Sequence, residues 1–314
     1  MTCYLKAYGA PLGSGKIKTY PKDFRVTELY DFEPSGSGEH LLLWVEKTGA
    51  NTGWVGNQLA THFNLRHFDV SYCGKKDRHA VTGQWFSCWL PGVKDIPELG
   101  SVQIEGADFQ KAIWHHRKLR RGDHQGNRFE LTIRGLTISN TADLEARLKL
   151  IGEQGFPNYF GPQRFGIDNQ NLVKAIDLIA DPEAQSRRKL DRKQKDIYMS
   201  ALRSWLFNLS LEEMVKADDW ADEGEVWVYG LSPHRDIKIP AVAEAHLAAA
   251  AFIEKIGIKA HQRAKRVLPK QMTWEFAENE MTLRFDLPVG AYATTLLAEI
   301  FDVEDAQMKT GEPH

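Results

Sequence analysis

The spacing of apolar and polar positions changes character twice along this chain. Residues 24–28 and 40–46 alternate or run apolar as strands do, and a helical spacing follows at 52–63, with Asn51 or Thr52 placed to cap it. Further strands are predicted at 70–73, 84–90, 102–105, 112–116 and 128–134, and then a helix at 141–154 capped by Asn140. From residue 169 the pattern becomes helical, at 171–179, 189–209 and 242–256, with one short strand at 226–229. After Pro269, strands return at 272–276 and 281–287 around a turn at Glu278-Asn279, before a helix near 294–301. Strands at both ends and helices between them make this an α+β chain, with the two ends forming one discontinuous domain around an inserted one.

Between two of the predicted strands lies Gly74-Lys75-Lys76-Asp77-Arg78-His79-Ala80-Val81-Thr82. Lys76 and Arg78 flank Asp77 and favour its ionised form, which lowers its pKa, whereas burial in an apolar wall would raise it. An ionised, positioned carboxylate is a nucleophile. The same spacing also suits a solvated turn, whose exposed ion pairs are weak. The run that follows, Gly83 to Leu90, is apolar on both alternating faces, which reads as a strand buried on both sides and seats Asp77 on a rigid element.

Composition narrows the class. At 314 residues and 42% hydrophobic, the chain is long and apolar enough for about two domains with sizeable cores. Residues 1–15 hold no continuous apolar run and do not read as a signal peptide, and the apolar stretch 241–253 is interrupted by Glu244 and His246 and falls short of a membrane span. Cys3, Cys73 and Cys88 lack the paired spacing of a zinc site or a disulfide framework and read as reduced, cytoplasmic thiols. Gly13-Ser14-Gly15-Lys16 is not a phosphate loop, because Ala10 stands where its first glycine belongs and Ile17 where the magnesium-binding hydroxyl belongs. The paired His-x-Glu and Cys-x-x-Cys of a zinc deaminase are absent as well, so neither a metal nor a cofactor is expected.

The formal net charge of −2 conceals strong segregation. One basic run extends from Lys111 to Arg128, where Arg117, Lys118, Arg120 and Arg121 stand against Asp123 alone. A second holds Arg187, Arg188, Lys189, Arg192, Lys193 and Lys195, and a third runs from Lys255 to Lys270. Arg188, Arg192 and Lys195 share a helical face, which favours a solvated surface for the second run. The acidic counterpart is residues 212–225, with seven carboxylates and only Lys216. Basic runs interleaved with Trp114, His115, His116 and His124 suit a phosphate-binding surface.

The stretch Gly74 to Gln84 resembles the signature of the TruD family of tRNA pseudouridine synthases, whose nucleophilic aspartate falls on Asp77. Three more stretches resemble that family in the same order: Pro21-Lys22-Asp23-Phe24-Arg25-Val26-Thr27-Glu28, Asn158-Tyr159-Phe160-Gly161-Pro162-Gln163-Arg164-Phe165-Gly166, and Leu287-Pro288-Val289-Gly290-Ala291-Tyr292-Ala293-Thr294. The resemblance implies a catalytic domain with a largely antiparallel sheet and flanking helices at 1–154 and 266–314, and a helix-rich TRUD domain at 155–265. It implies a monomer acting without a cofactor on the uridine at position 13 of tRNA, which is cut from its sugar, turned and rejoined through carbon 5. Asp77 would attack the sugar carbon or the base. Phe24 and Tyr292 would line the substrate pocket, Asn127 would contact the substrate and Phe129 would stack on the base. Family members often carry Phe at the position of Tyr292, so its hydroxyl either adds a hydrogen bond or faces water. Lys76 would pair with Asp77 or with a phosphate, Arg164 with a carboxylate or the RNA backbone, and Tyr159, Phe160 and Phe165 would fix the domain junction. The competing reading from another class is a non-catalytic RNA-binding or tRNA-folding protein using the same positive cleft. A methyltransferase would need a glycine-rich cofactor loop after a first strand, and none is found.

Overall fold

The structure is a computed structural model that describes residues 4–31, 33–181, 191–232, 234 and 243–307. The chain divides into two compact units, each drawn from three segments.

The strand-rich unit comprises Gly13–Ser139, Pro269–Gly290 and Val303–His314. Its strands are β1 (Gly13–Ile17), β2 (Phe24–Leu29), β3 (His40–Thr48), β4 (Val70–Tyr72), β5 (Val81–Trp89), β6 (Ala107–His115), β7 (Gly126–Ile138), β12 (Lys270–Ala277), β13 (Glu280–Pro288) and β14 (Phe301–Asp305), the last starting just outside the unit. They form one sheet in the order β12-β13-β7-β2-β5-β3-β6, with β1 paired to β7, β14 to β1 and β4 to β5 off this path. Every pairing whose register is resolved is antiparallel except β2 with β5, where Arg25 faces Val81 and Thr27 faces Gly83. On β2, Phe24, Val26 and Glu28 share one face and stand opposite Leu131, Phe129 and Asn127 of β7. Helix α1 (Thr52–His62) covers part of the sheet, packing Val55 and Leu59 on Leu43, Val45 and Phe86, all fully buried. Side chains of this kind contribute roughly 1.5–3 kcal/mol each on burial.

The helix-rich unit comprises Met1–Leu12, Asn140–Leu268 and Ala291–Asp302. It holds α2 (Thr141–Gln154), α3 (Gln170–Ala180), α4 (Arg192–Lys216), α5 (Leu247–Ile256) and α6 (Ala293–Ala298), with two small ladders. These pair β8 (Phe156–Pro157) with β11 (Arg266–Val267), and β9 (Glu225–Val228) with β10 (His261–Ala264). Its core gathers Phe165, Leu172, Leu202, Phe207, Leu211 and Ile253. Helix α2 joins this unit because Arg147 donates to the carbonyls of Ala10 and Glu299. No helix among the described residues is long and apolar enough to cross a membrane.

Several elements depart from expectation. Residues 102–105 form no strand; only Ile104 bridges Ala107, where β6 begins five residues earlier than its apolar run suggests. The pseudo-phosphate loop at Gly13 is strand β1 itself, paired with the far end of β7. The last predicted helix stops at Ala298 and its tail becomes β14, which finds a partner in β1. Asn140 caps α2 as expected, accepting from the N–H groups of Ala142 and Asp143. The start of the helix predicted from 189, residue 242 of the next one, Cys3, and Arg187, Arg188 and Lys189 lie outside the described residues.

Candidate active site

Between β4 and β5 the chain runs through the loop that carries Asp77, and buried side chains tie that loop down at several points. Thr52 Oγ1 accepts from the Lys76 N–H at 2.9 Å and donates to Gln84 Oε1 at 3.0 Å, while Gln84 Nε2 donates to the Gly74 carbonyl at 3.0 Å. Arg78 Nε reaches the Gly49 carbonyl at 3.1 Å. The capping expectation for Thr52 or Asn51 is thus corrected: Asn51 holds the cap position without a side-chain bond, and the Thr52 hydroxyl is committed to the loop.

Asp77 itself is held by both carboxylate oxygens. Lys18 Nζ donates to Oδ2 at 2.5 Å and the His79 N–H donates to Oδ1 at 3.0 Å. Burial acts to raise the carboxyl's pKa, but the Lys18 charge and hydrogen bond, together with His79, outweigh it and hold Asp77 below the ordinary carboxylate range. Lys18 also pairs with Asp305 at 3.1 Å, and the two carboxylates keep its ammonium above the usual range despite its burial. Its Nζ lies 4.8 Å from the centroid of Phe24. Lys18 adopts a left-handed backbone, φ 56°. The adjacent cations read from sequence are therefore not the ones that ionise Asp77; the cation that does so comes from the turn after β1.

Lys76 points instead at Glu28, in a buried pair whose side chains are 6% and 0% exposed. Tyr30 donates its hydroxyl to the other oxygen of Glu28. A Cβ on Gly74 would lie 3.3 Å from Lys76 Nζ and 3.4 Å from Glu28 Oε1, so the loop passes close to the pair. Beside Glu28 across the β2–β7 ladder stands Asn127, whose Oδ1 is buried and has no hydrogen-bond partner among the described residues. Gly126 before it must be glycine, since a Cβ there would come within 2.2 Å of the Leu287 carbonyl oxygen on β13.

Three aromatic rings continue this face. Phe129 stacks on Phe285 with centroids 5.4 Å apart and meets Phe24 edge-on at 6.3 Å. Geometry of this kind adds roughly 0.5–1.5 kcal/mol per pair beyond the buried area. Phe24, Lys76, Asp77, Asn127 and Phe129 all belong to the strand-rich unit, and Lys18 connects Asp77 to Phe24 within it.

Tyr292 belongs to the helix-rich unit. Its hydroxyl accepts from Arg164 Nε at 3.1 Å and its ring meets Phe160 edge-on at 6.1 Å, so the hydroxyl is used in a hydrogen bond. Arg164 also donates to Ser200 Oγ at 3.0 Å. Phe160 lies under the guanidinium of Arg263, 4.1 Å from its centroid.

A family profile described as tRNA pseudouridine synthase D (TruD) matches residues 2–176. A tRNA pseudouridine synthase D from Hydrogenovibrio crunogenus is 39% identical, with 95% of this chain and 96% of that protein covered. The chain belongs to the TruD family. Another TruD protein, from Marinobacter nauticus, is 36% identical over 96% of this chain and 94% of its own length. The crystal structure of a putative tRNA pseudouridine synthase D from Methanosarcina mazei shares the fold, with a TM-score of 0.65 at 19% identity, covering 94% of this chain and 95% of that one.

Asp23, 1% exposed, takes two hydrogen bonds from Arg134 at 2.7 and 2.9 Å and pins the turn before β2 to β7. Two cations of the third basic run are taken up by the acidic run: Lys265 pairs with Asp219 at 3.0 Å and Asp222 at 2.9 Å, and Arg266 approaches Glu223 at 3.7 Å. In the first run, Arg117 pairs with Asp123 at 2.9 Å and Lys118 donates to the Phe68 carbonyl, whereas Arg120 and Arg121 are exposed. Nothing in the sequence motifs pointed to Lys18 or Lys47. Glu28 lies within one of the TruD stretches, yet the resemblance gave it no role. For Glu28 and Lys47 a signal existed, because both break a run of buried apolar residues on one strand face.

Proposed function

We propose that this chain isomerises uridine to pseudouridine in tRNA, at position 13, with Asp77 as the nucleophile. The observation that carries the reading is an ionised aspartate, gripped at both oxygens by Lys18 and a backbone N–H, inside the signature loop of a TruD-family chain. In the net reaction the N1–C1′ bond breaks, a C5–C1′ bond forms, C5 gives up its proton and N1 gains one. Attack by Asp77 on the sugar carbon or on the base ring needs the carboxylate ionised, which is the state Lys18 favours. Phe24 and Phe129 supply the apolar wall for a uracil taken out of its stack. The unpartnered Asn127 Oδ1 supplies an acceptor for the base edge. Lys76 completes the polar end of this wall through Glu28, and Tyr292 contributes by its place in the C-terminal motif. The reading keeps the catalytic domain at 1–154 and 266–314 and the inserted TRUD domain at 155–265; the strand-rich unit makes up most of the former, while 1–12, 140–154 and 291–302 cluster with the helix-rich unit. Cys73 and Cys88 are free, and burial pushes their thiols up to about 11 and about 12, which keeps them protonated and unreactive; the reading takes the chain as a cytoplasmic monomer that needs no cofactor.

Mapping pseudouridine in cellular tRNA with and without the gene tests this: the signal at position 13 disappears when the gene is removed, and its persistence overturns the assignment. A pH profile tests the grip of Lys18. Activity falls as pH drops through the carboxyl pKa, so Lys18→Met, which removes the depressing charge, moves the acid limb of kcat/KM to higher pH. An unmoved limb would separate Lys18 from the ionisation of Asp77. Exposed Arg120 and Arg121 are expected to meet phosphates. Converting both to Gln lowers the slope of log affinity against log salt by about 0.7–0.9 for each phosphate no longer neutralised, as read in tRNA titrations at several salt concentrations.

A further inference from the structure

Lys47 is the largest fully buried side chain of the strand-rich unit whose chemistry is not explained by packing. It sits on β3 at the inward positions of Leu43 and Val45 and faces Thr82 of β5, two residues into the strand that follows the catalytic loop. An ammonium in such a place is costly unless something requires it. Its Nζ donates at 2.9 Å to the main-chain carbonyl of Asp77. Burial pushes its pKa down to about 8 against the pull of Asp77. The same residue is therefore held twice by lysines, Lys18 of the turn after β1 taking the carboxylate and Lys47 of β3 taking the backbone behind it.

We infer that Lys47 is a positioning residue for the isomerisation, fixing the Asp77 peptide so that the carboxylate meets the uridine in one orientation. The inference rests on Asp77 being the nucleophile. The His79 N–H fixes the carboxylate relative to its own turn, Lys18 holds it to the turn after β1, Thr52 and Gln84 tie the loop at Lys76 and Gly74, and Arg78 ties it to Gly49; Lys47 adds a donor to the Asp77 peptide itself, from a strand paired on both sides. Misplacement of a reacting group by about 1 Å costs about 10²-fold in rate. Lys47 touches no substrate atom in this scheme and acts through the Asp77 carbonyl alone.

The test uses Lys47→Met, which keeps length and apolar volume while removing the buried charge and the donor. Removing the buried charge relieves its desolvation cost while leaving the Asp77 carbonyl without its donor, so the two effects oppose and the melting temperature is expected close to that of wild type. Meanwhile kcat for pseudouridine formation falls about 30–100-fold with KM for tRNA within about threefold, the pattern of a group that acts on the transition state. Lys47→Gln, which restores an N–H donor without charge, recovers at least about tenfold of that loss. Asp77→Asn serves as the control for the underlying reading. If Asp77→Asn is inactive while Lys47→Met keeps kcat within about threefold of wild type, Lys47 does not position the nucleophile. If both lysine variants lose activity only in proportion to a reduced folded fraction, its role is structural and the inference is overturned. An active Asp77→Asn would instead remove the nucleophile assignment itself.

Discussion

Asp77→Asn is expected to bind tRNA within about threefold of wild type and to lose pseudouridine formation by about 10³-fold or more, since the amide keeps the shape and removes the attacking charge. The amide would still receive the His79 N–H at its remaining oxygen, and Lys18 would keep Asp305 as a partner, so the loop is expected to stay folded. Titration of the variant with tRNA and a single-turnover assay on the same preparation separate the two quantities. Residual activity within about tenfold of wild type, a barrier change of only about 1.4 kcal/mol, would exclude Asp77 as the nucleophile.

The second large effect lies in stability. Glu28→Ala strands the Lys76 ammonium in a buried site and takes the acceptor from the Tyr30 hydroxyl, which is expected to cost about 3–5 kcal/mol. The paired replacement Glu28→Leu with Lys76→Met removes both charges and is expected to regain most of that loss. Denaturant midpoints of the single and double variants give the coupling between the two sites directly. A Glu28→Ala protein unfolding within about 1 kcal/mol of wild type would mean that Lys76 finds water or another partner when Glu28 is gone.

The sequence made the strand and helix types legible wherever a regular period ran for five or more residues: β3, β5, β13 and α2 fall where their apolar spacing places them, and α4 runs on to Lys216, past its expected end at 209. It failed where the element depends on a distant partner. β1 and β14 have weak patterns of their own and exist by pairing with each other and, for β1, with β7. The reacting residue was legible because its motif is local. Its electrostatics were not, since the cation that sets its ionisation lies 59 residues away in sequence while the adjacent Lys76 is turned to Glu28. The same limitation applies to charge runs, where Lys265 reads as a phosphate binder until the folded chain brings Asp219 and Asp222 to it.

The pairing of β7 with β13 bears on how the protein is made. Arg128 and its partner Asp286 are 158 residues apart in sequence, so the strand bearing Asn127 and Phe129 has one edge open throughout synthesis of the intervening chain. An open edge of this kind is a template for misassociation, and ordering that depends on such remote pairings is slow. Nascent chains halted anywhere between the two strands are therefore expected to be the aggregation-prone species, and holdase chaperones that cover strand edges should raise the yield of active protein more than cooling does.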